Sequence, residues 1–258
     1  MSHRIHTFFL LSSCVLGGLL TGCASPDDEI LDDGEEVESV AQSVKKAVKA
    51  KPPTKHLAKE WTRWAMELPW STGPINDPTG AQCAAGQDGN EWFLAGTSGG
   101  PATRSCTVPE DAALFFPLVN RFCIFPPEYY PDNASIEADL PFFEEYFAES
   151  LAATCSLTLK VDGQDVFEGG LAEMVDDLYV EVLNPFELYL NPEDNFTTPF
   201  NAGIAGGDMP ALASGHFVKL KPLPPGDHVI EFGGAICDGA NIDFETSVTY
   251  NLHVDGCD

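Results

Sequence analysis

Basic residues are scarce in this chain. Thirteen lysines and arginines stand against 40 aspartates and glutamates, for a formal net charge of −27. From Trp64 to the C-terminus only Arg104, Arg121, Lys160, Lys219 and Lys221 are basic, against 31 acids. A body this acidic repels phosphate backbones and anionic lipid headgroups, which excludes nucleic acid as a partner class. No apolar run reaches the ~20 residues that span a bilayer, so no transmembrane helix is expected. CxxC spacing is missing and the histidines do not cluster with cysteines, which argues against zinc. No internal repeat is visible. Helices regularly alternating with strands are missing too, which argues against a doubly wound α/β fold.

What is present begins with the leader, "MSHRIHTFFLLSSCVLGGLLTGC". Arg4 followed by an uncharged stretch over residues 7–20 reads as a secretory signal occupying residues 1–22. Its end, Leu20-Thr21-Gly22-Cys23, resembles a bacterial lipobox. The resemblance implies cleavage before Cys23, lipidation of that cysteine, and membrane attachment through acyl chains at ~0.8 kcal/mol per buried methylene. An ordinary signal peptide that happens to hold a cysteine is the alternative. Ala24 follows Cys23 where an inner-membrane signal would place Asp, so the implied address is the cell envelope, outer membrane favoured, on the periplasmic or surface-exposed side.

Residues 23–54 read as a lipidated tether. Residues 24–44 hold eight acids and no base, and residues 45–63 hold seven bases. Val37, Val40, Val44 and Val48 recur at helical spacing with acids early and lysines late, which suits a helix dipole. Pro52 and Pro53 end that pattern. Thr54 can cap a second helix in which Leu57, Trp61, Trp64 and Leu68 form one stripe and Lys55, Lys59 and Arg63 another. Docking of that apolar stripe on the body is expected; an interfacial membrane helix is the alternative.

Residues 55–258 suffice for one domain. The 23 glycines and 20 prolines suggest many turns between short strands. Leu157, Leu159 and Val161 alternate before the Asp162-Gly163 turn, the clearest hairpin. Strands are also expected at "NEWFLAG", at "AALFFPLVNRFCIF" across Pro117, twice around Asn184-Pro185, on both sides of the Pro-Pro-Gly-Asp turn, and at "FETSVTYNLHV". One helix interrupts them, with Ile136, Leu140, Phe143, Phe147 and Leu151 on one face. The expected class is mainly β: an antiparallel β-sandwich or jelly roll with one inserted helix and N-terminal helices. The segments "TGAQCAAGQDGNEWFLAG", "RSCTVPEDAALFFPLVN", "LTLKVDGQDV" and "GHFVKLKPLPPGDHVIEFGG" resemble those of secreted bacterial β-sandwich proteins to which no activity is assigned. That resemblance implies a fold and brings no catalytic residues.

Of eight cysteines, Cys14 leaves with the leader and Cys23 takes the lipid, so Cys83, Cys106, Cys123, Cys155, Cys237 and Cys257 can pair. Six cysteines in an exported chain allow about 15 connectivities. Cys83–Cys106 is favoured because both flank one strand and loop; Cys123–Cys155 and Cys237–Cys257 follow by proximity in sequence.

For chemistry, Gly96-Thr97-Ser98-Gly99-Gly100 matches G-x-S-x-G, with Asp208 and His216 available downstream. A nucleophile elbow needs a helix after the serine, and "PATRSCTVP" is not one. Acid pairs such as Glu144-Glu145 and Asp176-Asp177 could flank a glycosidic bond only at a separation the sequence does not supply. Calcium is a candidate cofactor at Asp88, Asn90 and Glu91, and again over residues 191–195, because both loops crowd oxygen ligands. Neither has the EF-hand spacing. His216, His228 and His253 fall on expected strands, where two imidazoles could meet. Tyr129 and Tyr130 sit in a long excursion between strands and could stack on a glycan or peptide. The leading expectation is a non-catalytic, lipid-anchored module that binds a protein or glycan ligand. Its rivals are an exported serine hydrolase using Ser98 and an envelope assembly subunit.

Overall fold

The structure, a computed structural model, describes residues 53–200 and 204–256. The leader, Cys23, the acidic tether, the expected helix at residues 37–48 and Cys257 lie outside the described residues. The fold is mainly β. Sheet one has the order β1-β3-β7-β6 and sheet two the order β2-β9-β8-β4-β5. The strands are β1 (Glu91–Phe93), β2 (Gly100–Val108), β3 (Ala113–Ile124), β4 (Thr154–Val161), β5 (Gln164–Asp165), β6 (Tyr179–Leu190), β7 (Gly207–Leu220), β8 (Gly226–Asp238) and β9 (Asn241–Val254). Three helices join them: α1 (Lys55–Glu67), α2 (Asn133–Ala152) and α3 (Leu171–Asp177).

Local chemistry explains most elements. Thr54 caps α1 by accepting from the Leu57 amide, and Asp132 caps α2 by accepting from the Ser135 amide. Asp162 (φ 52°) and Gly163 (φ 74°) both take left-handed backbone, which the tight turn between β4 and β5 requires. Pro117 cannot donate to a ladder, and β3 slips register against β7 between Pro117 and Val119. The chain over residues 179–190 forms one strand rather than the expected two. A register shift between Val182 and Phe186 absorbs Asn184 and Pro185. The short helix α3 was not expected from the sequence; its seven residues carry too few turns for a periodic signal.

Neither sheet is purely antiparallel. β1 runs parallel to β3, and β2 runs parallel to β9. Hairpins force antiparallel neighbours, but β2 and β9 are separated by most of the chain, so no turn dictates their relative direction. β1 and β3 belong to one sheet while β2 between them belongs to the other, so the chain crosses between sheets twice.

The main core lies where residues of both sheets meet. Phe116 of sheet one packs 4.3 Å from Phe232 of sheet two, which stacks on Tyr250. Each fully buried large apolar side chain here contributes ~1.5–3 kcal/mol. The other face of sheet one is covered by α1. Trp61 and Trp64 are buried against Phe217 and Phe93, and each indole donates to a loop carbonyl, Leu94 O and Ala85 O. Helix α1 also closes the β6 edge. Arg63 Nε donates to Glu187 O and the Tyr189 amide donates to Glu67 Oε1, which satisfies strand groups left open by the sheet. The expected apolar stripe therefore docks on the body. Arg63, on the basic stripe, pairs with Glu60 of its own helix.

Cys83–Cys106 forms as expected, with a Cα–Cα distance of 6.0 Å. The other two expected pairings are corrected. Cys155 bonds Cys237, and Cys123 is free. Proximity in sequence misleads because β4 lies beside β8 in sheet two, with Thr154 opposite Ile236. Cys123 instead ends β3 in the other sheet, opposite Leu212. In the chain-entropy model the longer Cys155–Cys237 loop contributes ~4.5 kcal/mol and the Cys83–Cys106 loop ~3.4 kcal/mol.

Arg104 is 1% exposed, the most buried cation among the described residues. Its guanidinium donates to the carbonyls of Ile75, Asp77, Ala95 and Gly96 and to the Tyr250 hydroxyl. Replacing Arg104 with Met strands those acceptors. Because a lost partner leaves buried polar groups unpaired, Arg104→Met is expected to destabilise by ~3 kcal/mol or more. Urea unfolding of wild type and variant checks this through the transition midpoint.

Candidate functional site

The G-x-S-x-G segment is the crossover from β1 to β2. Leu94 and Ala95 are buried, and their amides donate to Phe115 O and the Tyr250 hydroxyl. The Thr97 hydroxyl donates to Gly100 O and accepts from the Gly99 amide. Gly99 (φ 135°) and Gly100 (φ 76°) then turn the chain directly into β2. No helix follows, so the backbone amides of an elbow's helix start are not supplied. Ser98 is exposed at the tip.

The two triad partners suggested by sequence order do not converge. Asp208 and His216 lie on the same extended strand, β7, eight residues apart, and ~3.3 Å per residue places them ~26 Å from each other. His216 is 1% exposed, between Val119 of β3 and Tyr179 of β6 in the sheet. Burial pushes its pKa down to about 4, although the nearby Val175 backbone favours the protonated form. The structure supplies no base and no acid for Ser98 from this pair.

Of the first calcium candidates, Glu91 is engaged within the protein. Glu91 Oε1 accepts from Lys219 Nζ at 2.8 Å. Asn90 O accepts from the Ala113 amide, and Asp88 is exposed. In the second loop, Asp194 accepts from the Ser71 amide and hydroxyl, while Asn195 bridges Asn191 O and Thr197. Among the described residues no three His, Cys, Asp or Glu side chains gather as metal ligands.

Tyr129 and Tyr130 diverge. Tyr130 packs edge-on against Phe125 at 4.9 Å, and its hydroxyl bonds Asp139. It belongs to the small cluster beneath α2. Tyr129 is 64% exposed, and on α2 Phe142 is 52% exposed. Only Tyr129 of the pair could meet a ligand.

The strand histidines give the most organised polar site. His228 of β8 and His253 of β9 line one groove of about 340 Å³ together with Asp162, Asp227, Val229, Asn251 and Leu252. The antiparallel register makes Asp227 the partner of His253 on the outer face of sheet two, whereas His228, opposite the buried Leu252, lies on the other face of the strand. The imidazoles do not share a ligand; each takes its own carboxylate. His253 Nδ1 lies 2.6 Å from Asp227 Oδ1, and His228 Nδ1 lies 2.8 Å from Asp162 Oδ2. The Asp227 carboxylate raises the pKa of His253. His228 Nε2 also meets Pro224 O at 2.9 Å. Both partners of His228 are acceptors, so both bonds form together only when both ring nitrogens carry protons. Asp162 comes from the β4–β5 turn and also accepts from the Val229 amide, so one turn residue ties two strands. The histidines were visible in the sequence. Asp162 as a partner was not, because it lies 66 residues from His228.

Compared with protein-family models, curated proteins and solved structures, the chain matches none of them.

His216 makes the fold acid-sensitive. Its folded pKa lies below the unfolded value of 6.5, so the unfolded chain binds the proton first. The stability of the neutral ring is complete above pH 6.5 and is lost as pH falls towards about 4. The full loss is ~3 kcal/mol at 1.36 kcal/mol per pKa unit. His216→Phe is expected to flatten this part of the curve. The check is the difference between the two unfolding free energies measured from pH 7 to pH 4.

Proposed function

We propose that this protein is a lipid-anchored module of the bacterial cell envelope that binds its ligand non-catalytically through the His–Asp groove. The lipobox residues Leu20 to Cys23 and the acidic stretch after them support the anchor and the tether. Two facing sheets around one core and two disulfides support a β-sandwich or jelly roll built for an oxidising compartment.

The observation that carries the binding reading is the groove itself. It presents the His253–Asp227 pair, Asn251 and the exposed Val229 on the outer face of sheet two, and His228 and Asp162 line it as well. Ser98, by contrast, stands exposed on a glycine turn, away from the histidine that sequence order offered it. The site offers hydrogen bonds to a glycan or a peptide backbone. It offers no nucleophile.

The anchor and the chemistry are tested separately. The wild-type protein is expected in the membrane fraction, and Cys23→Ser is expected to release it; a variant that stays with the membrane at unchanged mobility removes the anchor. A fluorophosphonate probe is expected to leave the wild type unlabelled. Labelling that disappears in Ser98→Ala would replace the module by a hydrolase. For binding, envelope glycan and peptide fractions are titrated into the ¹⁵N-labelled mature chain. Amides of residues 227–229 and 251–253 are expected to shift together, and shifts confined to other regions exclude the groove.

A further inference from the structure

Strand β7 of sheet one meets two different covers along its length. On β7, Val218 and Leu220 face the core shared with sheet two, whereas Leu212 packs under α2 with Phe125, Ile136, Phe143 and Phe147. Ser214 and His216 fall between these two covers. At this seam the end of α2 (Ser150), the start of β4 (Thr154), β3 (Arg121) and β6 (Tyr179) surround a cavity with Ser214 and His216. Gly215 allows β3 to approach closely here: a Cβ on it would sit 2.6 Å from Val119 O and from Asn120 Cβ.

Four side-chain nitrogens among the described residues are buried without a protein hydrogen-bond partner: Trp92 Nε1, Arg121 Nε, His216 Nδ1 and His216 Nε2. Three of the four belong to residues that line this one cavity. An unpaired buried polar group costs ~1–3 kcal/mol, so Arg121 Nε and the His216 ring nitrogen that does not face the Val175 backbone call for an occupant. The cavity leaves about 10 Å³ for the centre of a water-sized sphere, which is room for one such molecule.

The donor set selects the occupant. Arg121 Nε presents a donor only. A neutral imidazole presents one donor and one acceptor, whichever tautomer it adopts. Burial keeps the ring neutral over the physiological range. A halide is larger than the water-sized space and can meet only a ring N–H; a cation cannot accept from Arg121 Nε, and the guanidinium repels it. Water fits the space and serves whichever single ring nitrogen faces it, as acceptor or as donor. The Thr154 hydroxyl, which donates to Ser150 O and keeps a lone pair, belongs to a residue that also lines the cavity. We infer that the seam is a binding site for one structural water, hydrogen-bonded to His216 and to Arg121 Nε, which joins β7 to β3 where α2 and sheet two meet.

High-resolution crystals of the mature wild-type chain, grown with bromide in place of chloride, decide the matter. One water-sized peak within hydrogen-bond distance of a His216 ring nitrogen, with no anomalous signal, is expected. A bromide peak would make the site an anion site. A ring with both nitrogens bonded to protein groups, or a cavity without density, would overturn the proposal. In solution the same chain offers an independent reading that needs no variant. The His216 ring protons are expected to show a cross-relaxation signal to water with the sign of a slowly exchanging molecule, and a signal of the opposite sign overturns it.

Discussion

The buried guanidinium of Arg104 organises the region where the chain passes from one sheet to the other. Stripping a cation of water costs several kcal/mol, and the usual compensation is a carboxylate. Here the compensation is four carbonyls and one phenol hydroxyl. Those carbonyls come from residues 75–77 and 95–96, and Tyr250 belongs to β9, so one planar fork fixes two loops against a strand of sheet two. The Asp77 carboxylate turns the other way. Burial alone would raise its pKa, but amides of Gln82, Thr79 and Gly80 and the Thr79 hydroxyl outweigh that and lower it. Asp77 thus shapes the loop that covers β2, while its own carbonyl receives Arg104. Gly80 (φ 91°) lets this loop reach the Ser105 backbone, where a Cβ would lie 2.2 Å from Ser105 O. The Cys83–Cys106 bridge closes the same corner. The shape of the crossover that holds Ser98 follows from these contacts, with no need of a catalytic role.

The scarcity of cations gives each one a structural meaning. Lys219 ties β7 to Glu91 of β1 across the intervening β3. Arg121 donates to the Tyr146 hydroxyl, lies over that ring, and faces Asp243 at 3.7 Å, so it links β3 to α2 and β9. Arg63 lies over Phe186 and caps a carbonyl of the β6 edge. These contacts sit at junctions between elements. Acids outnumber bases 40 to 13, and the resulting negative field keeps the outer surface solvated and away from anionic partners.

Local signals in the sequence were read well where the chemistry is local. The Asp162-Gly163 turn, the Thr54 cap, the two-tryptophan stripe of α1 and the apolar face of α2 all appear as spacing alone suggests. What was hidden depends on which strands become neighbours. The pairing of Cys155 with Cys237 follows from β4 lying beside β8, and the parallel β2–β9 ladder joins residues about 150 positions apart. Arg104 stood in the sequence only as one of five bases from Trp64 onward, because nothing in a neighbouring residue announces a cage of carbonyls. The glycine-flanked Ser98 looked like a nucleophile because a motif match carries no information about the partner's face. The groove was half legible: alternation placed His228 and His253 on strands, but the turn that supplies Asp162 is brought in only by the sheet.

The division of the β7 surface explains why polar groups concentrate where they do. One sheet face cannot be covered seamlessly by two objects of different geometry, a twisted sheet at about 10 Å and a helix. Apolar side chains fill each half well, as Val218 with sheet two and Leu212 with α2 demonstrate. Between the halves neither cover fits closely, and an apolar residue there would border a void that forfeits its dispersion contacts. A polar side chain can reach instead towards the ends of α2, β4 and β6, which expose hydroxyls and backbone at that line. Ser214, His216, Arg121 and Tyr179 occupy it. The same placement makes the seam sensitive to acid, because protonating His216 would put a charge between two apolar covers beside the Arg121 cation.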